Sequence, residues 1–278
     1  MGVDVSKVGL TRDSEEFRVN TARIAQFAAS LDDTSEAHLN GRLAPPVFHH
    51  IPVMQSLVEV LKAATDGFVI HGEHDFHFER AIEPGMRLFT LTRLIGIKPS
   101  KAGAQLYVRS DLTTHDGKKV STQYSTCLVT AVKDAKAAGE AAPAKPEAAQ
   151  EGNPSAFTHK LSADQAFRYA DAARDYSPYT LDTQVAASHG FPAPILHGMC
   201  TIGIAARAIV DEICKGDVRK LARLGGRFSA LVFMVPGQQL TTRVWAGSAK
   251  GGKRMVAFET EEKDGKAAIA RGFAEVRA

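Results

Sequence analysis

Two patterns of apolar and polar positions follow one another along the chain, and the pair of them occurs twice. Apolar residues three and four apart mark a short helix over residues 23–33 (RIAQFAASLDD) and again over 163–175 (ADQAFRYADAARD). Each is followed by a turn-rich connection that ends in a Pro-apolar-apolar-His element, Pro46-Val47-Phe48-His49 and Pro194-Ile195-Leu196-His197. A longer and more apolar helical stretch comes next, over 51–65 and over 199–214. Each half then closes on strand-like alternation rich in β-branched residues, over 76–97 and 104–132 in the first and over 226–247 and 253–277 in the second. His115-Asp116-Gly117-Lys118 and Lys263-Asp264-Gly265-Lys266 place Asp-Gly hairpin turns at matching positions.

Between the halves, residues 134–156 are Ala, Lys, Glu and Pro without large apolar side chains, a composition that buries no core and reads as a flexible, solvated linker. The expected organisation is therefore an N-terminal repeat over residues 1–133, the linker over 134–156 and a C-terminal repeat over 157–278. An apolar helix followed by an antiparallel sheet, repeated once, is an α+β arrangement. Because each long helix is apolar around most of its circumference, a curved sheet is expected to wrap it.

Composition narrows the classes. With 278 residues, 44% hydrophobic and 23% charged, the chain has material for a sizeable core and is neither disordered nor a disulfide-stapled miniature. A net charge of +3 argues for no nucleic-acid partner. No apolar run approaches the ~20 residues that span a bilayer, and the N-terminus lacks a secretory pattern. The three cysteines fall in no metal-ligand or disulfide spacing, so a reducing, cytoplasmic setting is expected. His71, His74 and His77 suit a polar rim better than a metal site, and no nucleotide-binding or redox motif is present, so neither metal nor cofactor is expected.

Residues 174–203, RDYSPYTLDTQVAASHGFPAPILHGMCTIG, resemble the hydratase element of MaoC-like proteins and (R)-specific enoyl-CoA hydratase 2. That element reads Gly-Asp-x-Asn-Pro-Leu-His, a spacer, then Pro-Ile-Leu-His-Gly, and the spacing here matches without a gap. The first half resembles the family's degenerate N-terminal repeat, including His71-Gly72-Glu73 and the Glu83-Pro84-Gly85 turn. The resemblance implies a double hot-dog fold. It also implies reversible, (R)-specific hydration of trans-2-enoyl-CoA to 3-hydroxyacyl-CoA thioesters, with no cofactor besides the thioester itself. An acyl-carrier-protein thioester is an alternative substrate, and a homodimer is a possible assembly.

Carried over by position, the resemblance makes Asp175 a group that orients or activates water and Gly198, opening the apolar helix, a backbone N–H donor to the thioester oxygen. The family's Asn falls at Ser177 and its catalytic His at Thr180, and threonine cannot act as a base near neutral pH. His197 is expected to bond the loop at the helix start. Substrate contacts carried over are His71, Gly72, Lys101 beside the CoA phosphates and Phe228 beside the acyl-pantetheine channel, with Ser177 as a pocket hydroxyl.

The first half holds a rival pair, Asp33 and His38, at the spacing of the family's Asp and His. In isolation Asp33 would be a turn former and His38 a surface histidine. The position matching Gly198 there is His50. One half thus keeps the Gly and lacks the His, while the other keeps the pair and lacks the Gly. The alternative to an enzyme is a catalytically weak acyl-thioester-binding protein, or a dehydratase subunit that depends on a partner.

Overall fold

A computed structural model describes residues 2–278. In chain order its elements are β1 (Thr11–Asp13), β2 (Phe17–Arg18), α1 (Thr21–Ser30), α2 (Glu36–Leu39), α3 (Met54–Ala64), β3 (Val69–Phe78), β4 (Arg87–Ser100), β5 (Gly103–Thr114) and β6 (Lys119–Thr130). Then come β7 (Ala138–Gly139), β8 (Ser155–Lys160), α4 (Gln165–Ala173), α5 (Pro178–Leu181), α6 (Thr183–Ser188), α7 (Gly198–Glu212), β9 (Leu221–Phe228), β10 (Gln239–Lys250), β11 (Lys253–Glu262) and β12 (Ala267–Arg277). A 3₁₀ segment, Pro46–Val53, leads into α3.

The contacts divide the chain into two units, and the division does not follow the repeat boundary. The first unit holds the chain up to Arg18, Pro52–Arg80 and Met86–Pro146; the second holds Val19–Ile51, Ala81–Gly85 and Glu147–Ala278. The helix, turn and short helix that open the first repeat thus belong with the second unit.

In the first unit the strands run β1-β4-β5-β6-β3, all antiparallel, with β2 and β7 also pairing with β4. Helix α3 covers this sheet through Leu57, Val60 and Ala64, which join Leu94, Ile97, Leu106, Val108, Cys127 and Val129 in one core. Only four of its eleven residues are buried, so α3 lies on the sheet by one stripe and is not enclosed by it.

In the second unit the order is β9-β12-β11-β10-β8, again antiparallel. Helix α7 buries eleven of its fifteen residues. Ile202, Ala205 and Ile209 are fully enclosed, as are Leu240, Val256, Phe258 and Ile269 of the strands. Each such Leu, Ile or Phe contributes roughly 1.5–3 kcal/mol by leaving water. The wrapped helix expected of both halves is found here, and the molecule is the α+β double hot-dog that the repeats and the resemblance implied.

The stretch expected to be a free linker is partly structured. Ala138–Gly139 adds a short strand to β4, Glu140 N–H donates to the Ile95 carbonyl at 2.8 Å, and Lys145 pairs with Glu73. Backbone pairing needs no apolar side chains, which is why composition did not reveal it.

Candidate functional site

The two candidate motifs are built on the same local frame. Helix α1 ends in a left-handed residue, Asp32 at φ 49°, and the next N–H, from Asp33, returns to the Ala28 carbonyl at 3.0 Å. Helix α4 ends in left-handed Arg174 at φ 55°, and Asp175 N–H returns to Ala170 at 3.1 Å. This closure satisfies a helix-end carbonyl and sets the following aspartate at a fixed angle. Both aspartates then close a small turn, Asp33 Oδ1 accepting from Ser35 N–H at 2.8 Å and Asp175 Oδ1 from Ser177 N–H at 3.2 Å. A one-turn helix follows in each, α2 carrying His38 and α5 carrying Thr180.

The chemistry then diverges. In the first motif His38 Nδ1 lies 2.8 Å from Asp33 Oδ2, and both side chains are almost wholly buried, at 3% and 2% exposure. The surface position expected of an isolated histidine is therefore wrong: α2 folds His38 inward onto the carboxylate. An ionised carboxylate only accepts, so Nδ1 carries the proton and Nε2 presents a lone pair. That Nε2 is buried and has no hydrogen-bond partner. An oriented imidazole with an open acceptor nitrogen is equipped to take a proton from water.

In the second motif the place of His38 belongs to Thr180, 2% exposed, whose hydroxyl donates to the Ser177 carbonyl at 2.6 Å. His197 Nε2 lies 3.0 Å from that hydroxyl and 3.0 Å from the Asp175 carbonyl, so Nε2–H is the donor and the ring ties the loop to the start of α7. Burial pushes the His197 pKa down, against the opposing pull of Asp175, and its neutral form is favoured. The Ser177 hydroxyl donates to Asp175 Oδ1 at 2.6 Å. Asp175, Ser177, Thr180 and His197 thus form a network whose polar hydrogens are committed to one another.

Gly198 opens α7, with His197 as its N-cap residue. A Cβ on Gly198 would stand 3.4 Å from the Phe228 ring, so these two candidate residues are neighbours. The first-half counterparts of His197 and Gly198 differ: His49 and His50 are buried in the 3₁₀ segment, and burial lowers the His49 pKa to about 3. His71 and Gly72 sit at a register shift in β3 of the first unit, and Lys101 is exposed in the β4–β5 hairpin of that unit. His74 is fully buried, with its Nδ1 3.2 Å from His71 Nε2 and 3.3 Å from Ser125 Oγ; it is a core residue and not part of a rim. Among the described residues no group of His, Cys, Asp and Glu has the arrangement to hold a metal ion, and no helix is long and apolar enough to cross a membrane.

Several residues around Asp33–His38 were not anticipated. Arg207 of α7 donates to the backbone of Leu31 and Asp32, and Gly203 lets Leu31 settle on α7, since a Cβ there would come within 2.9 Å of it. Asp211, one turn beyond Arg207, has its pKa raised by desolvation first and by the Asp33 charge second, with Arg207 and His38 opposing. The available signal was Arg207 and Asp211 at i, i+4, two of the three charges in a largely apolar helix.

Comparison with known proteins places both halves. A MaoC like domain model matches residues 145–267, and a model of the FAS1-like dehydratase domain region matches residues 6–123. A probable enoyl-CoA hydratase 2 of Dictyostelium discoideum is 26% identical over 294 residues, covering 99% of this chain and 97% of its own length. An enoyl-CoA hydratase of Mycobacterium tuberculosis is 30% identical over 190 residues, 68% of this chain; the match spans only 63% of that relative. The crystal structure of a MaoC-like dehydratase from Phytophthora capsici superposes with a TM-score of 0.84 over 99% of this chain and 98% of that one, at 24% identity, a likeness of fold.

Proposed function

The chain belongs to the family of MaoC-like dehydratases and enoyl-CoA hydratases 2, and from that premise we propose that it catalyses the (R)-specific interconversion of trans-2-enoyl and 3-hydroxyacyl-CoA thioesters at the Asp33–His38 pair. One observation carries the assignment: a buried imidazole whose Nδ1–H is held by a buried carboxylate while its Nε2 is left without a partner.

On this reading His38 Nε2 takes a proton from water as the water oxygen bonds to Cβ. The double-bond electrons move toward the thioester, giving an enolate on its oxygen. The imidazolium then returns the proton to Cα, so one H and one OH have been added and the base is regenerated. Run backward, the same steps remove water from the 3-hydroxyacyl thioester. Asp33 holds the ring in the required tautomer and balances the imidazolium charge. A cytoplasmic setting is proposed with it, on the strength of three buried cysteines, none in a disulfide.

A second reading rests on Thr180. In the motif that resembles the family's hydratase element, Thr180 stands where the resemblance places the catalytic histidine, and its hydroxyl is committed to Ser177 and His197. An acyl-thioester-binding protein with little turnover, or a subunit needing a catalytic partner, would have this feature. A hydration assay separates the two, following loss of the conjugated enoyl-thioester absorbance with trans-2-enoyl-CoAs of graded length and resolving product chirality. Turnover to the (3R) product that His38→Ala abolishes supports the enzyme; saturable binding without turnover supports the second reading.

A further inference from the structure

The last carbonyls of α1 and of the turn leading to Asp33 are each taken by a side chain from far along the chain. Arg168 Nη1 donates to the Ala29 carbonyl at 2.7 Å, and Gln165 Nε2 donates to Ser30 at 2.6 Å. Arg207 Nη1 serves Leu31, at 3.3 Å, and Asp32. A helix C-terminus leaves such carbonyls open, and cations suit its negative end. Here four consecutive ones are closed by three side chains of α4 and α7, all within the second unit.

The Asp32 carboxylate adds a fifth hold. Arg168 grips it as a fork, Nη1 to Oδ1 at 2.8 Å and Nη2 to Oδ2 at 3.2 Å, and His159 Nε2 approaches Oδ2 at 3.3 Å from β8. Such a fork fixes direction as well as distance, which a lysine cannot do. The next residue in the chain is Asp33. The ion-pair partners are 31% and 40% exposed, so the pair adds little to stability, and its distinctive effect is on geometry.

We propose that Asp32, Arg168 and Arg207 form a positioning clamp through which the C-terminal repeat fixes the Asp33–His38 pair of the N-terminal repeat. None of the three touches the reacting atoms. They act through the backbone at 29–32, which sets where the Asp33 carboxylate meets His38 Nδ1. The clamp deepens the catalytic reading above and rests on it. It also gives the Thr180 motif's own repeat a role: that repeat supplies the frame in which the other repeat's pair works.

The test uses Asp32→Asn, which keeps a residue tolerant of the left-handed conformation while removing the charge. Arg168→Lys keeps the charge and removes the fork, and serves where the first variant fails to fold. Two readouts are taken on the full chain: steady-state hydration of a trans-2-enoyl-CoA, and the ¹⁵N imidazole spectrum of His38, which reports which nitrogen carries the proton. The expected result is a kcat about 10- to 100-fold lower with KM within about twofold, a loss of the size a misplaced catalytic group causes. It is accompanied by a His38 spectrum that becomes a mixture of tautomers. An unchanged His38 spectrum with unchanged kcat in a folded variant overturns the clamp. Full activity in His38→Ala overturns the catalytic reading instead, and the imidazole spectrum keeps that failure distinct from failure of the clamp.

Discussion

Thr180 Oγ1 and His197 Nε2 stand 3.0 Å apart in the second repeat, at the place where the first repeat sets His38 against Asp33. The same turn carries a buried imidazole–carboxylate pair in one half and a tether in the other. Thr180→Val removes a hydroxyl that bridges the Ser177 carbonyl and His197. It is expected to cost about 1–3 kcal/mol of stability, the range for a buried polar group losing its partner. Hydration rate should stay within a few-fold of the parent, and urea unfolding beside the rate assay checks both. Thr180→His places a larger ring in a site 2% exposed and should destabilise the protein without raising the rate.

Loss of the pair itself should be severe. His38→Ala and Asp33→Asn are each expected to lower kcat by about 10²–10⁴, the contribution of a positioned acid–base group. Asp175→Ala removes the acceptor for Ser177 and should alter the rate little. Initial rates on samples whose circular dichroism matches the parent decide the matter. A rate more damaged by Asp175→Ala than by His38→Ala would falsify the assignment to the first repeat.

Much of this frame was legible in the chain. The doubled order of short helix, His element, long helix and hairpins came from periodicity, and Asp33 and His38 were found by matching the spacing of the Asp and His in the family that the chain resembles. Their burial was not, because it depends on α2 turning His38 inward beneath a loop held by α4 and α7. Gln165 and Ser30 are 135 positions apart in sequence, and no local pattern announces such a bond. The repeat boundary was read from composition at residues 134–156, yet Val19–Ile51 packs with the second unit, since contacts respond to surfaces and not to repeat ancestry. Helix α3 looked apolar all round because Ile51, Pro52 and Val53 were counted with it, whereas those residues belong to the 3₁₀ segment that ends at Val53.

Thiol chemistry offers an independent check on the core. Burial pushes the Cys127 thiol up to about 12 and the Cys214 thiol up to about 11, and raises Cys200 as well. The reactive form is the thiolate, so native protein at pH 8 should resist a thiol-reactive aromatic disulfide over minutes. In guanidinium chloride three thiols per chain should react. Rapid labelling of even one in the native state would mean that the core is more open than its packing indicates.

Stability should fall on the acid side through His49. Its folded pKa lies near 3, below the ordinary value of 6.5, so the folded state keeps it neutral where the unfolded chain is protonated. The unfolded state therefore binds more protons between about pH 6.5 and 3. This histidine's contribution is fully present above 6.5 and is lost as pH falls through that window. At pH 5 the loss is about 2 kcal/mol, at roughly 1.4 kcal/mol per pH unit. His197, lowered in the same sense, adds to it. Urea midpoints at pH 8 and pH 5 measure the slope, and His49→Gln should flatten it; an equal slope in that variant would assign the acid sensitivity elsewhere.

Gly203 joins packing to the site most directly. A Cβ at this position would approach Leu31 Cδ2 to 2.9 Å, and Leu31 is itself 1% exposed, two residues before Asp33. In Gly203→Ala the helix gains about 1 kcal/mol of propensity, which offsets part of the crowding. In Gly203→Val that gain shrinks and two further methyl groups press on Leu31, so a net destabilisation of about 1–3 kcal/mol is expected. The displaced Leu31 carries the backbone that Arg207 holds, and with it the Asp33 carboxylate. The valine variant should therefore lose kcat by more than its unfolded fraction explains, while KM holds. Thermal melting and steady-state kinetics on the same preparation test this: a melting temperature that drops while kcat per folded molecule stays at the parent value would separate the packing of Leu31 from the geometry of the pair.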